Sequence, residues 1–424
     1  IQVRDHRQLT QEIASRLQAP EALGAMGQAA KRVVVENQGA LERTLTIVGN
    51  LLSTPISDRP RASPSLGPRL RRIFRPFLRG VVYPYEVIVK ARVYLYQHGW
   101  LQRRKLPCRV VSVGNLTIGG SGKTPLVIFL VGWLLTRGER VAVLSRGYRR
   151  QGKEPFLLVS DGQSILANPR EAGDEPFLVA QRCPGAVVAV GADRYSLGKW
   201  VLERFPVDYV LLDDGFQHLA LERDTDLLLV DASDPAGLDA LFPVGRLREP
   251  LSAARRATAV VLTRVNGRTR REDLPAELFA SCHPQEDPIL VRFRAEALVD
   301  VVTGTLHEIG SLAGRTAVVF SGIANASSFR ALLAHQELRI LGERVFPDHH
   351  RYSAGDIQEV RSLARETGSE WILTTEKDAN KVSPFVESQD RVFAVRLATE
   401  ILKGRDRIER LIVGRAVSSD AAAS

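Results

Sequence analysis

A glycine-rich segment that ends in a lysine and a threonine, residues 114–125, is the part of the chain best suited to binding a phosphate. It follows an apolar run, residues 109–113, and precedes a helical pattern, residues 126–135. Glycines let backbone N–H groups approach phosphate oxygens, and the start of a helix adds a favourable dipole. Lys123 and the Thr124 hydroxyl could then meet nucleotide phosphates and Mg²⁺. The standard loop has a glycine where this chain has a threonine, so the segment predicts a variant phosphate-binding loop rather than a simple turn.

Two adjacent carboxylates, Asp213 and Asp214, follow a second apolar run, residues 209–212. A nucleotide-binding protein of this kind presents an acid to Mg²⁺ at the carboxyl edge of its sheet, where a strand ends. Neighbouring carboxylates repel each other, so a nearby cation helps both of them to stay ionised. Asp-Asp-Gly alone is just as typical of a turn, but its combination with the phosphate-binding loop favours a metal site.

Three other polar segments could carry chemistry. Asp174 could belong to a ligand loop, although the N-cap of a helix over residues 177–180 is the favoured interpretation. The pair His349 and His350 could form an acid–base or metal-binding group, but such a pair is more typical of a surface loop. Residues 374–378 could be a second ligand loop or the capped start of a helix.

Short apolar runs separated by helical stretches must position these side chains. Continuous Val, Leu and Ile runs of this kind indicate strands buried on both faces of a parallel sheet. The predicted strands are residues 109–113, 140–145, 187–190, 209–212, 227–230, 259–263, 289–293, 317–321 and 371–374. The polar, irregular stretch 294–307 is a predicted boundary between a large first domain and a smaller second one. The fold class is therefore predicted as α/β, with a parallel sheet flanked by helices and a second, smaller α/β domain.

The composition excludes several classes of protein. Three cysteines, none in a Cys-x-x-Cys pair, argue against a disulfide scaffold and a thiolate zinc site, and they favour a reducing cytoplasm. The chain has no uncharged apolar run of about 18 residues, so no membrane-spanning helix is predicted.

The net charge of +10 comes from one region of the 424-residue chain. Residues 59–105 contain twelve Lys and Arg against one acid, Glu86, a local net of +11 that leaves the rest of the chain at −1. Such residues mixed with Tyr and Trp suit a membrane interface, and a solvated arginine-rich linker is the equally weighted alternative. The aromatic residues in this region are Phe74, Phe77, Tyr83, Tyr85, Tyr94, Tyr96 and Trp100.

These motifs, in this order, resemble the tetraacyldisaccharide 4'-kinases, the lipid A 4'-kinases of Gram-negative bacteria. The resemblance covers residues 73–412 and includes the variant phosphate-binding loop with its trailing Pro125. It also rests on Ser-Arg-Gly-Tyr at 145–148, Gly-Asp-Glu at 173–175, Asp-Asp-Gly-Phe-Gln-His at 213–218, Leu-Arg-Glu-Pro-Leu at 247–251, Asp-His-His at 348–350 and Thr-Thr-Glu-Lys-Asp at 374–378. It implies a P-loop kinase-like fold and transfer of the ATP γ-phosphate, with Mg²⁺, to the 4'-hydroxyl of a tetraacylated disaccharide 1-phosphate.

The resemblance also implies roles for individual residues. Asp174 would be the base that accepts the hydroxyl proton, with His349 as its partner, and His349 is taken over His350 because it follows Asp348 directly. Lys123, Asp213 and Asp214 complete the implied catalytic set. The implied cofactor-binding residues are Asn115, Gly119, Gly120, Ser121, Gly122, Lys123 and Thr124. The implied substrate-binding residues are Tyr148, Arg194, Gln217, His218 and Arg248. The implied metal ligands are Thr124, Asp213, Asp214 and Glu249.

The family further implies a cytoplasmic enzyme, peripherally bound to the inner membrane, that acts on a lipid A precursor. The basic region then becomes a membrane-docking surface, and nucleic acid is not expected as a partner. The predicted domains are 57–72 as a linker, 73–294 as a P-loop kinase domain with an N-terminal interfacial helix, 295–415 as a smaller α/β domain and 416–424 as a disordered tail. Since Asp174 and His349 lie in different predicted domains, domain closure is expected to bring them together.

The first 56 residues read as a helical segment of different origin. Residues 25–30 and 35–43 resemble the C-terminal helices of a Kdo transferase, which modifies the same lipid. The only methionine is Met26, so we expect the chain to be the kinase half of a fused transferase–kinase that is cut within the transferase. A dedicated helical extension is the alternative.

Two other functions fit the motifs less well. One is a different P-loop small-molecule kinase or ATPase, and the other is a nucleotide-switched binding protein. The guanine-reading pattern Asn-Lys-x-Asp is absent at residues 263–266, which disfavours a GTPase switch.

Overall fold

The apolar runs of the sequence form the centre of one large sheet. The structure is a computed structural model, and it describes residues 85–414 except 149, 153, 243, 266–270 and 280–286. Predictions for residues 1–84 and 415–424, which include the helical segment, the linker and the tail, lie outside the described residues.

The described secondary structure alternates between strands and helices over most of its length. The strands are β1 Arg109–Asn115, β2 Val141–Ser145, β3 Phe156–Asp161, β4 Val187–Gly191, β5 Tyr209–Asp213, β6 Thr225–Asp231, β7 Ala259–Thr263, β8 Ile289–Asp300, β9 Leu306–Glu308, β10 Thr316–Ser321, β11 Arg339–Val345, β12 Trp371–Thr375 and β13 Val392–Lys403. The helices are α1 85–97, α2 Lys123–Thr136, α3 Pro169–Ala172, α4 Asp174–Arg182, α5 Arg194–Leu202, α6 Ala326–Leu333, α7 Ala354–Thr367, α8 Glu376–Val382 and α9 Arg405–Val413. Short 3₁₀ helices include Leu251–Arg256.

The sheet has the strand order β11-β10-β12-β13-β8-β7-β6-β1-β5-β2-β4-β3, with β9 paired to β8. Its pairs are parallel except β3 with β4, β8 with β13 and β8 with β9. β1 lies between β5 and β6, and Val113 is in register with Asp213. Because parallel strands end at the same edge, the residues after β1 and the two aspartates at the end of β5 become neighbours.

Helix α2 is held against this sheet by an apolar core. Leu126, Leu130 and Leu134 are buried with Val111 and Val113 of β1. Within the described ranges, none of the helices combines the length and the apolarity needed to cross a bilayer.

The predicted α/β fold is confirmed, and each of the nine predicted strands is present within two residues of its predicted start. The prediction that residues 294–307 are irregular is wrong, because β8 continues through Asp300 and β9 follows after a short turn. Residue 294 therefore lies inside a strand that pairs with β7 on one side and β13 on the other. The two predicted domains share one sheet, and the described residues belong to one compact unit. Where the domains divide stays a prediction.

Candidate functional site

A cleft of about 1880 Å³ opens at the carboxyl edge of the sheet. Its walls include the phosphate-binding loop, the aspartate segment after β5, the face of α1 that carries Tyr85 and Arg92, and the region around His349. This edge is where the parallel strands of an α/β fold collect ligand-binding loops.

The phosphate-binding loop is fixed by side chains at the carboxyl end of β7. The Thr263 hydroxyl donates to the Ser121 carbonyl at 2.8 Å, and the Arg264 guanidinium donates to the Gly120 carbonyl at 2.7 Å. Gly122 precedes α2 at a φ of +84°, and a Cβ there would lie 2.3 Å from the ring of Phe293. The left-handed backbone therefore favours glycine at this position, and the nearby ring of Phe293 leaves little room for a side chain.

The residues of this loop predicted to bind the cofactor lie together on the cleft wall, apart from Asn115. They are Gly119, Gly120, Ser121, Gly122, Lys123 and Thr124. Asn115 is fully buried at the end of β1, and its side-chain oxygen accepts a hydrogen bond from Lys123 Nζ at 3.2 Å. Asn115 therefore orients the lysine.

The two adjacent aspartates have different partners. Asp213 Oδ2 accepts from the Thr124 hydroxyl at 3.4 Å, while Asp213 Oδ1 is buried and has no hydrogen-bond partner among the described residues. Asp214 lies 3.5 Å from Lys123 Nζ and 2.7 Å from Arg248 Nη1, at a backbone φ of +57°. Asp214 is thus neutralised by protein cations, and Asp213 is not paired to one at contact distance.

Their pKa values shift in opposite directions. Burial, with the nearby charge of Glu175, raises the pKa of Asp213 to about 7. Burial also acts to raise the pKa of Asp214, but Lys123 and Arg248 outweigh it and lower that pKa. A buried carboxylate with a raised pKa is a site that gains most from an added cation.

The residues present fit Mg²⁺ at Thr124 and Asp213, because a hydroxyl and a buried carboxylate with a free oxygen are hard oxygen donors. Glu249, the fourth predicted ligand, instead forms a buried ion pair with Arg256 at 2.6 Å. In the described part of the chain, no group of three or more His, Cys, Asp or Glu side chains is arranged to hold a metal.

Asp174 lies in a second polar cluster beside the cleft. Its Oδ2 is 3.2 Å from His349 Nδ1 and 3.4 Å from Lys381 Nζ. Burial acts to raise the pKa of Asp174, but the hydrogen bond from His349 and the charges of Lys381 and Lys377 outweigh it and lower the pKa. Asp174 is the first residue of α4 and Gly173 is its N-cap, so the N-cap interpretation of Asp174 is wrong.

The two adjacent histidines have different surroundings and different partners. His349 lines the cleft, and its ring lies 5.4 Å from that of Tyr148. His350 Nε2 lies 3.2 Å from Asp356, which closes the capping box at the start of α7. His349 is therefore placed with Asp174, whereas His350 supports a helix end.

Two lysines of this cluster lie on α8: Lys377 belongs to the segment 374–378, which was a candidate ligand loop, and Lys381 was not singled out from the sequence. Thr375 caps α8 by accepting a hydrogen bond from the Asp378 N–H, so the capped-helix interpretation of 374–378 is confirmed. One turn apart on that helix, Lys377 contacts Glu175 at 3.3 Å and Lys381 contacts Asp174. The two lysines are four residues apart and follow a predicted helix start, so they were expected on one face of that helix. This spacing was the signal in the sequence that could have found them.

The predicted substrate-binding residues Tyr148, Arg194, Gln217, His218 and Arg248 all line the cleft. Arg194 is buried and donates to the carbonyls of Gly191 and Ala192 at 3.0 and 2.9 Å. Burial and the nearby Arg146 lower the pKa of Arg194 to about 10.

Burial, followed by the charge of Arg194, lowers the pKa of His218 to about 4, so this imidazole is neutral at pH 7. Gln217 donates from Nε2 to the carbonyl of Asn115 at 2.9 Å, and its Oε1 accepts from Arg248 Nη1 at 3.4 Å. These contacts connect the aspartate segment to the phosphate-binding loop.

Helix α1 is a wall of the site that the sequence did not assign to it. The Tyr85 hydroxyl donates to the carbonyl of Arg248 at 2.7 Å, and Arg92 donates to the carbonyl of Gln217 at 3.2 Å. Ile88 lines the cleft with 66% of its surface exposed. Helix α1, which lies in the predicted interfacial region, therefore contacts residues of the site directly.

Comparison with known proteins gives one consistent result. The family model for Tetraacyldisaccharide-1-P 4'-kinase matches residues 74–415. The Tetraacyldisaccharide 4'-kinase of Anaeromyxobacter dehalogenans strain 2CP-C is 40% identical over 332 residues, covering 77% of this chain and 86% of the relative. That of Pelobacter propionicus is 40% identical over 298 residues, 70% of this chain and 80% of the relative. The crystal structure of LpxK from Aquifex aeolicus in complex with ATP superposes with a TM-score of 0.62 at 34% identity, covering 81% of this chain and 99% of that one.

Proposed function

The chain belongs to the Tetraacyldisaccharide-1-P 4'-kinase family, and we propose that Asp174 and its neighbours carry out the proton transfer of this family's reaction. The chain is an ATP-dependent kinase that phosphorylates the 4'-hydroxyl of tetraacyldisaccharide 1-phosphate in lipid A synthesis. Family membership decides against the two alternative functions.

The phosphate-binding loop and β5 supply the electrostatic part of the mechanism. Lys123 is held by Asn115 and Asp214, so its ammonium is oriented before a nucleotide arrives. Arg248 is held in the same way by Asp214. Mg²⁺, when bound at Thr124 and Asp213, supplies charge neutralisation for the transferred phosphoryl group.

Asp174 is proposed as the group that accepts the proton of the attacking hydroxyl. A general base must be ionised when the substrate binds, and the lowered pKa of Asp174 keeps it so at neutral pH. His349 Nδ1 donates to Asp174 and fixes the direction of its carboxylate. The 3.2 Å contact between these two side chains is the observation that carries the proposal.

The family reaction can be tested by following labelled γ-phosphate from ATP into a tetraacyldisaccharide 1-phosphate acceptor in detergent micelles. We expect labelled lipid that requires Mg²⁺ and is lost in Lys123→Ala. Release of labelled phosphate into water without labelled lipid would contradict the assignment. Loss of lipid labelling in Lys123→Ala but full activity in Asp174→Asn would keep the family reaction and remove Asp174 from it.

We also propose that the enzyme works peripherally at the cytoplasmic face of the inner membrane. Support comes from the exposed side chains of α1 and the turn after it, where Tyr94 is 54% and Trp100 58% exposed beside Arg103. Aromatic and basic side chains together suit a membrane interface. Flotation with phosphatidylglycerol vesicles should fall in Tyr94→Ser/Trp100→Ser and at high salt. The control, Val302→Ser/Leu306→Ser, changes exposed apolar residues elsewhere and should float like wild type; equal loss in both would contradict the proposal.

The fused Kdo transferase stays a prediction, because residues 1–56 lie outside both the described residues and the family match. Reading the coding sequence upstream of Ile1 distinguishes a fusion from a helical extension.

A further inference from the structure

A second cavity, of about 750 Å³, lies away from the phosphate-binding loop. It is bordered by the end of α1 and the turn after it, and by the residues that lead into β6 and β7. Asp226 near the start of β6 and Thr258 just before β7 place it toward the amino ends of these strands. The active-site cleft lies at their carboxyl ends, so the second cavity is a separate site.

Four arginines line this cavity: Arg103, Arg223, Arg255 and Arg256. Its two acids already have cationic partners, because Asp226 contacts Arg223 at 2.7 Å and Glu222 lies 3.8 Å from Lys105. Arg103 and Arg255 are exposed, and neither forms an ion pair with a described residue. The cavity therefore presents more cationic groups than its own carboxylates neutralise.

Arg256 gives the cavity a buried and incompletely satisfied donor. Its side chain is only 9% exposed, and its Nη2 donates to Glu249 at 2.6 Å. The guanidinium also lies 4.6 Å from the centre of the Phe216 ring. Nε and Nη1 are buried and find no hydrogen-bond partner among the described residues. Buried donors normally have acceptors, and leaving them unpaired is unfavourable.

We propose that this cavity binds a phosphate group, with Arg256 at its base and Arg103 and Arg255 at its entrance. A phosphate offers several oxygens to the planar fork of an arginine, and such charge-assisted bonds are among the stronger hydrogen bonds in proteins. The phosphate could be free in solution or part of a phospholipid headgroup, since Trp100 and Leu101 beside the cavity are 58% and 39% exposed. This site is distinct from the kinase reaction and does not rest on it.

The test uses the full chain with Lys123→Ala, which weakens phosphate binding at the loop by removing its ammonium group. Inorganic phosphate is titrated by calorimetry, and flotation is measured with vesicles of phosphatidylglycerol and of phosphatidylcholine. The site variant is Arg103→Gln/Arg255→Gln, which leaves the buried Arg256–Glu249 pair intact. The matched control is Arg339→Gln/Arg365→Gln, which removes the same charge from exposed arginines that neither line the cavity nor lie in the basic region.

We expect the site variant to weaken binding by at least about tenfold while the control changes it less than about twofold. Weakened binding of inorganic phosphate identifies a free-phosphate site. Weakened flotation with phosphatidylglycerol alone, without binding of inorganic phosphate, identifies a headgroup site. Equal effects of both double variants, or no effect of either on both probes, overturns the proposal. A thermal unfolding temperature close to that of the Lys123→Ala parent shows that each variant is folded.

Discussion

Two carboxylate centres border the cleft, and their surroundings have opposite electrostatic character. Asp213, at the end of β5, is buried with no cation of the described residues at contact distance, and its pKa is raised to about 7. Asp174, at the start of α4, contacts His349 and Lys381, and these outweigh burial to lower its pKa. Asp213 therefore has too little neighbouring positive charge to lower its pKa, whereas Asp174 has enough.

The difference indicates a division of labour. A carboxylate that lacks a protein cation is suited to bind a metal, and one that is held ionised by protein cations is suited to accept a proton. This contrast supports the proposed roles of Asp213 as a ligand of Mg²⁺ and of Asp174 as the acceptor of the hydroxyl proton. Each variant below changes one of the two carboxylates or a residue that contacts Asp174.

The largest effect is expected for Asp174→Asn. An amide cannot accept the hydroxyl proton, so kcat should fall by about 10³-fold, within the range of general-base catalysis. KM for ATP should change little, because Asp174 is not part of the phosphate-binding loop. A steady-state assay measures both constants, and a kcat within threefold of wild type would remove Asp174 as the base.

Asp213→Asn should lower kcat by about 10²-fold and raise the Mg²⁺ concentration needed for half-maximal activity. The amide keeps the size of the side chain and removes the charge that a buried cation requires. Titration with Mg²⁺ at saturating ATP checks this. If Asp174→Asn shifted the Mg²⁺ requirement as much as Asp213→Asn did, the proposed division between the two centres would be wrong.

His349→Gln should lower kcat by about tenfold, because it removes the donor that orients Asp174 while leaving the carboxylate in place. His350→Gln is the matched control, since His350 contacts Asp356 in the cap of α7. It should lower thermal stability slightly and leave kcat close to wild type. Equal loss of kcat in both variants would contradict the separate placement of the two histidines.

The smallest effect on turnover is expected for Lys381→Met, which removes a positioning residue beside Asp174. The lysine helps to lower the pKa of Asp174, so its loss should raise that pKa. Activity requires ionised Asp174 and falls as the pH drops through its pKa, so the acidic limb of kcat/KM should move to higher pH. Lys199→Met, a change at an exposed lysine on α5, is the control. An unmoved acidic limb in Lys381→Met would show that the lysine has only a structural role.

The fully buried strands were predicted from the sequence more closely than the half-buried ones. Strands such as β5 and β7 are fully buried and appear as continuous apolar runs, which is why their positions were predicted closely. β13 was missed because Arg396, Thr399 and Glu400 interrupt its apolar pattern where the strand is only half buried. An antiparallel partner such as β13 does not need the two-sided burial that the prediction relied on.

The candidate site shows the same limit. Lys123, Thr124 and the two aspartates were found because a loop between strand and helix, and acids at a strand end, have local signatures. Lys381 has only its four-residue spacing from Lys377 as a local signal, and its role depends on the packing of α8 beside α4, a helix almost 200 residues away in the chain. Glu249 was assigned to the metal from a motif, and only the structure shows its buried partner Arg256.

The phosphate-binding loop follows the first strand of the sheet, yet the groups that hold it come much later in the chain. β1 pairs with β5 and β6, Thr263 and Arg264 bond the loop carbonyls, and Phe293 covers Gly122. During synthesis from the amino terminus, such long-range partners become available only after many more residues have emerged. A half-made chain carries the sequence of the loop without its binding geometry. We therefore expect ATP to bind the completed sheet and not the growing chain.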